Sequence, residues 1–253
     1  MKLLYFSGTG NSLFVARSLC DKNDNMLSIP QLLKRGQLDI SDSDSVGFVF
    51  PTYNHNIPKI VLEYLNQSTI KSPYVFVVMT AGNGSAGAPG YFAEIARKHG
   101  LDVSYANEII MPSNHIPMAD IALEKNSDKN VERQLSTVKA DINSRKKFIP
   151  SSGSALVRAI IKLVLKIHPE GCCNFTVSDK CVKCGICTKV CPRGNIRLIE
   201  NRHYFGNNCE SCQACVHNCP RKALQVKGDK NNQERYRHKD ISLQDIIKSN
   251  NVG

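Results

Sequence analysis

At 253 residues, with 42% hydrophobic and 22% charged positions, the chain has the make-up of an ordinary globular protein, which excludes wholesale disorder and fibrous repeats. Its 33 Lys and Arg against 22 Asp and Glu give a formal charge of +11, a balance that alone points to nucleic acid or an anionic surface, yet no nucleic-acid readout motif accompanies it. Ten of the eleven cysteines lie after position 171, so the two halves differ in chemistry.

The opening run Met1-Lys2-Leu3-Leu4-Tyr5-Phe6 breaks at once into Ser7-Gly8-Thr9-Gly10, too soon for a signal peptide or a membrane span, and a cytoplasmic location is expected. Residues 2–6 predict a buried strand, and Leu13, Phe14, Ala16 and Leu19 recur at helical spacing over residues 11–20. Between them lies Ser7-Gly8-Thr9-Gly10-Asn11-Ser12. Its glycines let the backbone approach a ligand while hydroxyls and helix N-terminal amides point at it, which suits a phosphate. Residues 46–50 and 74–79 predict two further strands, ending in Pro51-Thr52-Tyr53-Asn54 and in Thr80-Ala81-Gly82-Asn83-Gly84-Ser85. Helical patterns follow at 57–65 and 91–99, and another strand is expected over 103–111. Such alternation predicts an α/β fold, a doubly wound parallel sheet whose ligands sit at the carboxyl ends of the strands.

The loop Ser7-Gly8-Thr9-Gly10-Asn11-Ser12 at a strand end resembles the phosphate loop of flavodoxins. The resemblance covers residues 1–150 and implies an FMN-binding domain, with Ser7, Thr9, Gly10, Asn11 and Ser12 around the phosphate. It also implies Pro51, Thr52, Tyr53 and Asn54 beside the flavin ring and Gly82, Asn83 and Gly84 in the third loop. Tyr53 is the stacking candidate, because the chain has no Trp. Nothing provides for an adenosine, so FMN is expected in place of FAD. His115, in Pro112-Ser113-Asn114-His115-Ile116-Pro117, follows the last predicted strand and falls at the same sheet edge.

Residues 131–148 read as helix-like, Pro150-Ser151-Ser152-Gly153 interrupts, and residues 155–167 resume; residues 151–170 are expected to be a helical connector. Arg158, Lys162 and Lys166 fall four apart, a basic stripe on an apolar helix too short to span a bilayer.

Cys181, Cys184, Cys187 and Cys191-Pro192 fit C-x2-C-x2-C-x3-C-P, and Cys209, Cys212, Cys215 and Cys219-Pro220 fit it again at a shift of 28. Thiolates suit zinc as well, but zinc sites usually separate two C-x2-C pairs. The double motif closely resembles the two-cluster bacterial ferredoxins, a small α+β fold expected over residues 171–230. That resemblance implies two 4Fe-4S clusters, with the fourth cysteine of each run crossing to the other cluster. One cluster would use Cys181, Cys184, Cys187 and Cys219, the other Cys209, Cys212, Cys215 and Cys191. Cys20 and the Cys172-Cys173 pair are left to packing. Residues 231–253 are expected to form a polar tail with a short helix over 241–247.

The whole chain resembles flavodoxin-ferredoxin fusion proteins of anaerobes, which implies an iron-sulfur flavoprotein passing electrons between two 4Fe-4S clusters and FMN. Two clusters and a flavin phosphate would lower the net charge to roughly +5. A redox protein partner, acidic in character, is expected, with no nucleic-acid or membrane partner. The alternative is an FMN-dependent oxidoreductase acting on a small-molecule acceptor and fed by its own ferredoxin domain.

Overall fold

The computed structural model describes residues 1–157, 159–160, 163, 175–229 and 234–252. Five strands, β1 (Lys2–Tyr5), β2 (Asn25–Ser28), β4 (Val46–Pro51), β6 (Val75–Ala81) and β7 (Tyr105–Ile110), form one sheet in the order β2-β1-β4-β6-β7, each neighbour parallel. Taken in chain order this is 2-1-3-4-5, the flavodoxin-like order, with its switch point between β1 and β4. The pair β3 (Asp39–Ile40) and β5 (Thr69–Ile70) lies apart from it. Every residue of β6 is buried, because a parallel strand covered on both faces has no polar side to present.

Helices α1 (Asn11–Leu19) and α6 (Val131–Asn143) cover one face of the sheet; α2 (Ile29–Arg35), α3 (Lys59–Gln67) and α4 (Ala88–Lys98) cover the other. The short α5 (Ile121–Lys125) sits between β7 and α6. β2 and α2 had no periodic signal: the strand is four residues long, and the Ser28 hydroxyl that ends it caps the helix by accepting the Gln31 N–H. The helix expected to run to 148 stops at Asn143. Arg145 takes a positive φ of 50°, and Phe148 then bonds through its backbone to Ser104 and Ala106 beside β7.

The cysteine-rich segment holds β8 (Phe175–Val177), α7 (Ile186–Lys189), β9 (Ile196–Ile199), β10 (Arg202–Phe205), α8 (Ala214–His217) and β11 (Leu224–Val226), with β8 paired to β11 and β9 to β10, both antiparallel. A shift of 28 carries α7 onto α8, and the backbone repeats with it: Lys183 and Ser211 have φ of 57° and 56°, Gly194 and Lys222 of 57° and 50°. Helix α9 (Leu243–Asn250) starts with a capping box between Ser242 and Asp245. One apolar cluster runs from Leu3, Leu13 and Val138 through Ala214, Cys215 and Leu224 to Ile241 and Ile246, so sheet, cysteine repeat and C-terminal segment share a core.

Of the predicted connector, Leu156, Val157, Ile160 and Leu163 are exposed. Arg158, Lys162, Lys166, Cys172 and Cys173 lie outside the described residues. Among the described residues no helix is long and apolar enough to cross a membrane.

Candidate functional site

Gly10, the N-cap of helix α1, has φ 105° and no side chain to cap the helix, and the first turn carries no acidic residue. The first amides of a helix have no partners within it, so this end presents N–H groups and positive potential to the loop before it. Ser7 Oγ accepts the Gly10 N–H at 3.1 Å, and Ser12 Oγ lies 2.8 Å from Thr80 Oγ1. Hydroxyls from the first turn of α1 and from β6 thus meet beneath the loop.

That loop opens into a cavity at the carboxyl edge of the sheet. Ser7, Thr9, Asn11, Ser12, Pro51, Thr52, Tyr53, Asn54 and Gly82 all line it, as does His115. Gly10, Asn83 and Gly84 do not line it; a Cβ on Gly10 would sit 3.0 Å from His238 Cβ, facing the C-terminal segment. Thr80, Ala81, Pro112, Ser113 and Asn114 complete the wall from the ends of β6 and β7. Tyr53 packs edge-on against Phe6, and burial, with Cys212 and Glu210 nearby, raises its phenol well above the usual value.

The remaining wall is Ser211-Cys212-Gln213, from the second cysteine run. A Cβ on Gly8 would meet Cys212 O at 2.8 Å, so only glycine permits this approach of loop to cysteine. Gln213 Nε2 donates to Ile116 O at 2.6 Å while Gln213 Oε1 accepts from Ile116 N at 2.9 Å. Gln213 does so from φ 53°, where its counterpart in the first repeat is Gly185 at φ 71°. Buried His217 has its Nδ1 accepting the Tyr236 N–H at 3.0 Å, which leaves Nε2–H to donate to Asn114 O at 2.7 Å. Burial lowers its pKa to about 4, so the ring stays neutral. Glu210 accepts from Ile60 N at 3.1 Å in the first turn of α3, where a negative charge is favoured, and its charge meets buried Arg193 at 3.3 Å.

Cys181, Cys184, Cys187 and Cys219 line a second cavity together with His203. Around Cys212 and Cys215, burial first and then the nearby thiols of Cys191 and Cys209 hold the sulfurs well above their ordinary pKa. The donor chemistry fits iron-sulfur clusters: eight thiols fall into two groups, each drawing its fourth member from the other run. Backbone amides aim at the sulfurs in register, Lys183 N to Cys181 and Ser211 N to Cys209 at 3.4 Å, Asn195 N to Cys191 at 3.3 Å and Ala223 N to Cys219 at 3.2 Å. Among the described residues no three such side chains converge on a single ion. A cubane takes one thiolate on each iron, so its ligands need not converge.

Residues 180–224 match the family described as the 4Fe-4S dicluster domain. The chain joins a flavodoxin-like domain to a dicluster ferredoxin-like domain. Its ferredoxin-like part is similar to a ferredoxin-like protein in the nif region of Nostoc sp., 33% identical over 48 residues, 18% of this chain and 41% of that protein. The corresponding protein of Trichormus variabilis is 31% identical over 48 residues, with the same coverage. The fusion therefore spans less than half the length of these relatives. Over the N-terminal half, solved structures with some likeness include the Trp repressor binding protein from Bacillus subtilis, at 13% identity and TM-score 0.37 over 55% of this chain and 94% of that one. Another is an FMN-dependent NADH-azoreductase from Bacillus anthracis in complex with FMN, at 10% identity and TM-score 0.34 over 56% and 98%. The fold assignment rests on the strand order and not on these overlaps.

Sequence reasoning missed the segment that fastens the phosphate loop. Asn250 Nδ2 donates to Ser7 O at 2.9 Å, His238 N to Thr9 O at 3.0 Å and Tyr236 Oη to Asn11 Oδ1 at 2.6 Å. The His238 ring stacks on Phe14 at 4.0 Å, and Arg17 pairs with Asp245. Its only mark in the chain was the apolar spacing of residues 241–247, which carries no hint of where the helix docks.

Proposed function

We propose that the fusion binds FMN in the cavity between the flavodoxin-like loops and the second cysteine run, and that it passes electrons between two 4Fe-4S clusters and that flavin. One observation carries the reading: Cys212, a ligand candidate for one cluster, lines the same cavity as the phosphate loop. In this reading Ser7, Thr9, Asn11 and Ser12 receive the phosphate at the α1 N-terminus, while Pro51, Thr52, Tyr53, Asn54 and Gly82 border the ring. Cys209, Cys212, Cys215 and Cys191 hold the inner cluster; Cys181, Cys184, Cys187 and Cys219 hold the outer one. FMN when bound exchanges one or two electrons, so it can join single-electron clusters to two-electron chemistry. The chain's own part is to bring the cofactors together, keep His217 neutral at the junction and bury Cys191 and Cys215 away from water.

An anaerobic reductive titration of the holoprotein followed by visible absorbance, with iron, sulfide and acid-released flavin measured on the same sample, tests this. About eight iron and eight sulfide with one FMN per chain is expected. Thr9→Asp should sharply weaken flavin binding through charge repulsion while leaving iron content unchanged; unaltered flavin affinity would show that the loop binds something else. A second reading, reduction of a small-molecule acceptor, is favoured by His115 and Asn114 in the cavity wall. Steady turnover of a defined acceptor, lost in His115→Ala with flavin retained, would establish it.

A further inference from the structure

The cysteine repeat has one end in the cavity and the other in solvent. Cys212 lines the proposed flavin site, while Cys184, its counterpart one repeat earlier, is exposed. Around Cys184 the surface is apolar in the middle, where Val182 is 59% exposed and Pro220 lines the same cavity as Cys184, and basic at the rim. Lys180, Lys183, Arg221 and Lys222 are all exposed and stand next to residues that line the outer thiol cavity. Counted over residues 175–229, the exposed charges are eight Lys or Arg against two acids, Asp179 and Glu200. The other two acids of that stretch, Glu210 and Asp229, turn inward to Arg193 and Arg235. An exposed thiol ligand at the centre of a small apolar patch with a predominantly basic rim is a surface for brief, charge-guided encounters.

We infer that this face docks an acidic protein that carries single electrons, and that electrons enter or leave the chain through the outer cluster. The inference rests on the intrachain path proposed above and adds its outer terminus. A cluster held by Cys181, Cys184, Cys187 and Cys219 would take one electron from the carrier at each encounter, oxidising the carrier by one, or would give one back in the reverse direction. Two encounters match the two electrons the flavin exchanges, and the accompanying protons come from or return to water. The basic rim speeds association and orients the carrier toward Cys184, one repeat away from the cavity that Ser211-Cys212-Gln213 lines.

The test measures binding with both proteins oxidised, so that no electron flow is needed. The probe is a small acidic 2Fe-2S ferredoxin titrated against the holoprotein by calorimetry, at an ionic strength of about 20 mM and again at about 150 mM, where the Debye length contracts to about 8 Å. One variant carries Lys180→Glu, Lys183→Asn and Arg221→Glu; Asn is chosen at 183 because that residue has φ 57°. A control with the same change in net charge carries Lys34→Glu, Arg35→Glu and Lys98→Asn, all exposed on helices of the N-terminal half. Unchanged iron content and visible spectrum in both variants confirm that the clusters are intact. The expected result is weakening of at least about tenfold in the first variant at low salt, loss of most of its salt dependence, and less than about threefold change in the control. Equal weakening in both variants would show that net charge acts without a docking face and overturn the inference, as would the absence of wild-type binding at low salt. If binding behaves as expected but reduced clusters fail to reduce the flavin of the same chain, the docking face stands and the intrachain path falls.

Discussion

The two cysteine repeats have the same spacing, the same short helix and the same positive-φ positions, yet opposite surroundings. In the first, α7 buries none of its residues; in the second, all four residues of α8 are buried. Where the first repeat has exposed Val182, Gly185 and exposed Lys189, the second has Glu210 on α3, Gln213 on Ile116 and His217 on Asn114. Duplication supplies two equal metal-binding units, and three substitutions on one of them convert it into an interface. Equivalent ligands are therefore expected to have unequal roles.

The sharpest break of this comparison is at the ligands. Cys212→Ala removes one thiol ligand and should cost about four iron atoms and, because the segment that loses its cluster also walls the cavity, the flavin as well. Cys184→Ala should cost the outer cluster while flavin is retained. Iron and flavin analysis after anaerobic purification separates the two; equal flavin content would mean that the repeats are not differentiated.

Next in size is the buried carboxylate. Glu210→Gln leaves Arg193 paired only with the more exposed Glu63 and weakens the bond from Ile60 N, and should destabilise by about 2 kcal/mol. Val182→Ala, at the equivalent exposed position, should change stability by less than about 0.5 kcal/mol. Thermal or denaturant unfolding of the holoproteins checks the pair.

A smaller effect separates Gln213 from Gly185. Gln213→Gly relieves a strained backbone, worth about 1 kcal/mol, but removes two hydrogen bonds to Ile116, so a net loss of about 1 kcal/mol is expected together with faster flavin release. Gly185→Gln brings the strain without the bonds and should leave the flavin off-rate unchanged. Stopped-flow release into excess apoflavodoxin reads this out.

The smallest effect tests the clasp that only the flavin side has. Burial lowers the His238 pKa from its ordinary 6.5, so the unfolded chain takes up the proton first. The stability that neutral His238 contributes is full above about pH 6.5 and falls as pH drops below it. Hydrogen exchange in residues 234–252 should accelerate between pH 7 and pH 5.5, after correction for intrinsic rates, relative to residues 181–187. His238→Phe, which keeps the stack on Phe14, should remove that difference.

Much of this was legible in the chain because it depends on local periodicity. Continuous apolar runs announced β4 and β6, and the resemblance of the loops at their ends to those of flavodoxins implied that Thr52, Tyr53 and Gly82 belong to one site, where the structure has all three lining one cavity. Spacing set the eight cysteines in two equal runs, and the resemblance to two-cluster ferredoxins implied that the fourth of each run crosses to the other. The weak signals were short or polar: β2 has four residues, and Asn83 and Gly84 lie in the expected loop yet outside the cavity wall.

Sequence by itself determined the long elements of the N-terminal half, the duplication and the ligand types, since each is set by residues close together in the chain. Tertiary structure alone decided which repeat faces the flavodoxin-like sheet, that Ser211-Cys212-Gln213 completes its cavity, and that Tyr236, His238 and Asn250 hold the phosphate loop. These contacts join residues 97 to 243 positions apart through polar side chains that would suit solvent equally well. Their partners are defined only when the shared apolar core brings both surfaces together and removes the water that would otherwise satisfy them.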